Sequence, residues 1–126
     1  MAKEIIFAPH APAPIGPYSQ AVMTGNMLFI SGQIALDQTN GTFVNANIKD
    51  ETAQVMKNID AILKAAGLTF QNVVKSTIFL RNMGDFPQVN EVYGSHFKDL
   101  PPARETVEVS KLPKEANVEI SCIAVK

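Results

Sequence analysis

Between Lys49 and Ala66 apolar residues recur at helical spacing, while the chain on either side reads as short β-rich runs broken by glycine and proline. Val55, Met56, Ile59, Ile62, Leu63 and Ala66 fall on one helical face, and Glu51, Gln54, Lys57, Asn58 and Asp60 take the other. A helix with one apolar face has to bury it against another element, and the neighbouring runs offer a sheet for that purpose. Asn47 is placed to cap the helix start, Asp50 and Glu51 suit its positive end, and Gly67 supplies a stop. A second helix is expected from Asp85, with Pro87 in its first turn and Gln88 three residues after the cap. Val89, Val92, Tyr93 and Phe97 form its apolar stripe. Gly94 inside that stripe costs about 1 kcal/mol against alanine, which points to close packing or to a frayed end.

The strands expected around these helices are Lys3 to Phe7, Ser19 to Thr24, Met27 to Ser31, Val73 to Leu80, Ala103 to Ser110 and Asn117 to Val125. Gly25 and Asn26 form a two-residue hairpin signal between the second and third. Pro9, Pro12, Pro14 and Pro17 exclude regular structure between the first and second. Gly32 to Val44 contains Asn40 and Gly41, a turn signal, and reads as a loop or irregular extension. In Val73 to Leu80, alternation puts Val74, Ile78 and Leu80 on one side and Val73, Lys75, Thr77 and Phe79 on the other, as in a central strand covered by a helix. The order β, β, β, α, β, α, β, β in 126 residues predicts a single α+β domain, 1–126, with two helices covering one face of a mixed sheet. Apolar residues on both sides of several strands leave the second face for association between copies.

Composition narrows the function. The 11 basic and 12 acidic side chains nearly cancel, giving a net charge of -1, so a protein that works by gripping nucleic-acid phosphates is disfavoured. The N-terminal run lacks the apolar stretch of a signal peptide and no later segment could span a bilayer, so a cytoplasmic protein without a membrane partner is expected. His10 and His96 lie far apart without Cys, Asp or Glu at ligand spacing, so no metal site is expected. No glycine-rich loop suited to cradling phosphates is present. Cys122, the single cysteine, alternates with Ile120 and Ala124 and is expected to point into the core as a small apolar residue.

Arg104 and Glu119 remain. Each sits in a β-rich, half-apolar run, where a charge costs free energy unless it is exposed or paired. Alternation places Arg104 with Thr106 and Glu108, opposite Glu105, and places Glu119 with Ser121 and Ile123. Spacing alone also fits two ordinary charges on a solvated sheet face. A direct hairpin through Lys111 to Ala116 would set Glu119 near Glu108, several rungs from Arg104. A shared site therefore needs another strand order or a second subunit.

A wider pattern bears on that choice. Ile15 to Ala21, Ser31 to Ile34, Asn58 to Leu68, Val74 to Leu80, Asp85 to Tyr93, Pro102 to Arg104, Val107 to Val109, Leu112 to Lys114 and Glu119-Ile120 together resemble the Rid (YjgF) family of enamine/imine deaminases. The resemblance runs from about Ala13 onwards, with the motifs in order. It implies a chorismate-mutase-like α+β protomer, a homotrimer with sites in clefts between subunits, and no metal or cofactor. Carried over by position, it implies that Arg104 anchors a substrate carboxylate with its guanidinium fork and that Glu119 holds or activates the attacking water. Tyr18 would contribute a wall and a hydroxyl from an adjoining subunit, and Ser31, Gly32 and Asn90 would line the pocket. The ligand implied is a small 2-imino acid, hydrolysed to a 2-keto acid and ammonia.

Members with well-described deaminase activity often carry a cysteine two residues after the arginine; this chain has Thr106 there, preceded by Glu105. The threonine still offers a backbone amide and a hydroxyl, so the departure bears on substrate preference more than on the reaction. Some relatives are described as single-strand endoribonucleases or translation inhibitors. The near-neutral charge and the absence of tryptophan and of an aromatic-basic stripe weigh against RNA here. A keto-acid sensor without turnover would keep Arg104 but have no use for Glu119.

Overall fold

The computed structural model describes residues 2–126. Helix α1 (Ile48–Ala65) starts where the sequence places its cap: Asn47 is extended, and its side chain accepts a hydrogen bond from the Asp50 amide at 2.8 Å. It ends on paired bonds from Leu68 N to Leu63 O and from Gly67 N to Lys64 O, with Gly67 at φ +75. This closure needs the left-handed conformation that glycine adopts freely.

Helix α2 (Phe86–Gly94) packs beside α1, joined on the outside by Lys49 Nζ to Glu91 Oε2 at 2.5 Å. Asp85 precedes it but makes no side-chain cap, contrary to the capping expected there. The entry is fixed instead by a short 3₁₀ turn, Met83–Asp85, in which Asn82 accepts from Gly84 N and Glu108 accepts from Met83 N, both at 2.8 Å.

The strands are β1 (Lys3–Ile6), β2 (Ala21–Thr24), β3 (Met27–Gln33), β4 (Leu36–Asp37), β5 (Thr42–Phe43), β6 (Val73–Leu80), β7 (Ala103–Glu108) and β8 (Val118–Val125). Six form a mixed sheet in the order β1-β2-β3-β8-β6-β7, and both helices lie on one face. The hairpin at Gly25 pairs Thr24 with Met27 as expected. Residues 32–44 are more ordered than a loop, because β3 continues through Gly32 and β4 pairs with β5. The proline-rich segment is held by buried Gln20, whose amide donates to the carbonyls of Ala8, Ala11 and Pro12 and accepts from Ala8 N.

The core lies between the helices and the inner sheet face, where Leu28, Ile78, Leu80, Val118, Ile120 and Ala124 meet Val55, Met56, Ile59, Ile62 and Leu63. Cys122 joins it, and burial pushes its thiol up to about 11, so it is not poised as a thiolate nucleophile at neutral pH. Two expectations fail in instructive ways. The β6–β8 register shifts between Val73 and Lys75, so Val73 turns into the core while Val74 is exposed, the reverse of simple alternation. Glu51 and Asn58, assigned to the solvent face of α1, are buried. Glu51 accepts from Asn117 N at 2.7 Å and Asn117 Nδ2 at 2.8 Å, and Asn58 donates to the carbonyls of Ile34 and Leu36. Specific partners thus overrule helical periodicity, as buried polar groups require.

Candidate active site

Strand order decides where the two unexplained charges go. β7 and β8 are not neighbours: β6 lies between them, parallel to β7 and antiparallel to β8. In register, Ser76 sits opposite Arg104 and Ile78 opposite Thr106, whereas Phe79 sits opposite Glu119. Ser76 and Ile78 are buried under the helices, so Arg104 and Thr106 lie on the helix side. Glu119 lies on the other, helix-free face. Within one chain the sheet itself separates them.

On the helix side, Arg104 Nη1 donates to Asn90 Oδ1 at 2.6 Å, and its guanidinium lies 5.2 Å from the ring centres of both Phe86 and Tyr93. Phe86, Asn90 and Tyr93 are four and three residues apart, so one face of α2 presents all of them. Each ring contact is worth about 0.5–1 kcal/mol at an exposed cation. Together they orient the fork while the side chain stays exposed on the edge strand. Thr106 Oγ1 is buried beside it without a hydrogen-bond partner among the described residues, and the Tyr93 hydroxyl is buried there too, where burial raises its pKa against the opposing effect of Ser76. Glu105 points to the opposite face, as alternation predicts. There it accepts from Thr77 Oγ1 and pairs with Lys75 Nζ at 3.1 Å, contacts that hold its carboxyl below the usual range.

On the helix-free face, the Glu119 side chain lies over Gly32. A Cβ at position 32 would stand 2.8 Å from Glu119 Cδ, so only glycine leaves that carboxylate its place. Glu119 is half-buried, no ion pair or hydrogen bond to its carboxylate occurs among the described residues, and burial raises its pKa. Gly32 shares a cleft with Ile15, Tyr18 and Ile34. Tyr18 is exposed, and its hydroxyl accepts from Ile15 N at 3.4 Å. Ser31 donates through Oγ to Ser19 O at 2.6 Å and through its amide to Gln20 O at 2.9 Å, tying β3 to the segment that carries Tyr18.

The residues singled out in the sequence thus fall into two groups: Arg104, Asn90 and Thr106 on one face, and Glu119, Gly32, Ser31 and Tyr18 on the other. Of the two rings beside Arg104, Tyr93 was legible only as part of the apolar stripe of the helix and Phe86 was given no role, although their spacing from Asn90 was a usable signal. The helix-free face also exposes Ile5, Phe29 and Val107, an apolar surface suited to contact with another chain. No helix is long and apolar enough to cross a membrane, and the described residues contain no group of three or more His, Cys, Asp or Glu able to hold a metal ion.

Comparison with known proteins gives the family of the chain. A family model described as Endoribonuclease L-PSP matches residues 8–126. A RutC family protein of Pyrococcus horikoshii is 53% identical over 98% of both chains. A mouse protein named 2-iminobutanoate/2-iminopropanoate deaminase is 46% identical over 98% of this chain and 92% of its own. The crystal structure of E. coli TdcF with bound serine superposes with a TM-score of 0.92 at 38% identity, covering 98% of each chain. With a family model spanning almost its whole length and relatives near half identity end to end, the chain belongs to the YjgF/RutC family.

Proposed function

We propose that this protein is a hydrolytic deaminase of small 2-imino acids such as 2-iminobutanoate and 2-iminopropanoate, working at sites completed between copies of a trimer. The observation that carries the reading is the division of labour across the sheet. An oriented, exposed guanidinium occupies one face, and an unpaired carboxylate of raised pKa occupies the other. Apposing the helix side of one copy to the helix-free face of the next would bring them together. The mouse relative's name supports the substrate class.

The chemistry asks for little. The substrate carboxylate takes the Arg104 fork in two parallel hydrogen bonds, which fixes C2. Glu119 of the adjoining copy removes a proton from a water as its oxygen bonds to C2, and the C=N electron pair moves to nitrogen. Glu119 passes that proton to the nitrogen, and the carbinolamine collapses. Glu119 takes the hydroxyl proton as the oxygen re-forms C=O, the C–N bond breaks, and the protonated nitrogen leaves as ammonia, which releases any excess proton to solvent. Imine and water become 2-keto acid and ammonia, with no redox change. Clearing such electrophilic intermediates would protect pyridoxal-phosphate enzymes from attack by the enamine form.

The test is release of ammonia and 2-oxobutanoate from 2-iminobutanoate generated in situ by an amino-acid oxidase. The purified protein is expected to accelerate both above the buffer rate, and equality with buffer would refute the reading. Cleavage of single-stranded RNA without imine turnover would favour the activity for which the family model is named.

A further inference from the structure

Gly94 is the last residue of α2, the frayed-end position that the sequence also allowed, and nothing else in the fold requires glycine there. It ends α2 without a positive φ, so no backbone conformation demands glycine, and a Cβ built there meets nothing within 4 Å. Close packing, one of the two reasons read from the sequence, is therefore absent. What the missing side chain leaves is space beside the carboxylate anchor. Gly94 lines a cleft of about 410 Å³ whose polar end is Arg104 and Asn90 and whose walls are Tyr93, Phe97, Pro101 and Pro102. That volume falls within the range of about 300–1,000 Å³ typical of small-molecule sites. Clefts of similar size against α1 and beside Phe70 contain no arginine.

We infer that this cleft is the side-chain subsite of the 2-imino acid, with Gly94 the residue that admits chains longer than ethyl. The inference rests on the deaminase reading for its substrate class. In a 2-imino acid, carboxylate and side chain leave the same carbon, so fixing the first on Arg104 sends the second along a neighbouring wall. Two aromatic rings and two prolines suit an apolar chain, and they hold no buried charge to pair with a polar one. An ethyl group is small against a cleft of about 410 Å³, whereas isobutyl or thioether chains would fill more of it. Each added carbon buried there gains affinity.

Two measurements test the subsite separately from the chemistry. In calorimetric titration, 4-methyl-2-oxopentanoate is expected to bind about tenfold more tightly than 2-oxobutanoate. Gly94→Leu, which fills the space, should weaken the longer keto acid about tenfold and change the shorter by about twofold at most. In the coupled assay, kcat/KM for the imines of leucine and alanine should show the same split. Gly94→Ala, a better helix former, should melt higher and shift selectivity in the same direction by less. Equal weakening of both keto acids by Gly94→Leu, or no change in either, would overturn the subsite. Selective keto-acid binding without imine hydrolysis would instead sink the deaminase reading while the subsite stands.

Discussion

Arg104→Ala is expected to lower kcat/KM for 2-imino acids by about a hundred- to a thousandfold. Two charge-assisted hydrogen bonds from guanidinium to carboxylate are each worth about 1.5–3 kcal/mol, and each 1.4 kcal/mol is about a factor of ten. Taken near the lower end of that range, losing both gives a deficit of roughly 3–4 kcal/mol. The fold should survive, because Arg104 is exposed on an edge strand and gives up only the Asn90 bond and two ring contacts. Arg104→Lys should recover little. An ammonium has no planar fork for a carboxylate and does not stack between Phe86 and Tyr93 in the same way. A lysine variant at near wild-type efficiency would show that Arg104 supplies only charge.

Glu119→Gln should reduce kcat by about a hundredfold or more, the usual contribution of a positioned general base, while 2-keto acid binding persists. The pH profile carries a second signature. Burial raises the Glu119 pKa above the ordinary 4.5, so the base is lost to protonation at a higher pH than a free glutamate would be. The acid limb of kcat should lie above 4.5 and vanish in the glutamine variant. Stability has the matching sign: the folded chain holds this proton more tightly than the unfolded chain. Glu119 therefore favours folding below 4.5 and costs stability as pH rises from there through its raised value. Equal loss of keto-acid binding and turnover in Glu119→Gln would refute the base assignment.

Much of the fold was legible because periodicity and punctuation agreed. Asn47 and Gly67 bounded α1, and Gly25 set the β2–β3 hairpin where local chemistry decides the outcome. What escaped depends on partners distant in sequence. Glu51 reads as a surface charge until Asn117 is brought against it, and Gln20 reads as an ordinary strand residue until the proline-rich segment folds over it. Val74 needed a bulge that alternation does not announce.

The site followed the same division. Arg104 and Glu119 stood out from their runs, yet only the insertion of β6 between β7 and β8 puts them on opposite faces. Gly32 was marked by family resemblance, and its physical reason, the carboxylate resting over it, required the third dimension. Gly94 illustrates the converse, since its cost was visible in sequence but its surroundings were not.

The central claim is that each site takes its arginine from one copy and its carboxylate from another, and mixing two inactive variants tests it most directly. Arg104→Ala and Glu119→Gln chains would be unfolded together in equal amounts, refolded, and assayed for imine hydrolysis beside each variant refolded alone. In a ring of head-to-tail contacts, random assembly gives about a quarter of the sites an intact arginine and an intact glutamate. The mixture should therefore recover about a quarter of the wild-type rate while each variant alone stays inactive. A mixture no more active than its two components would contradict a site shared between copies.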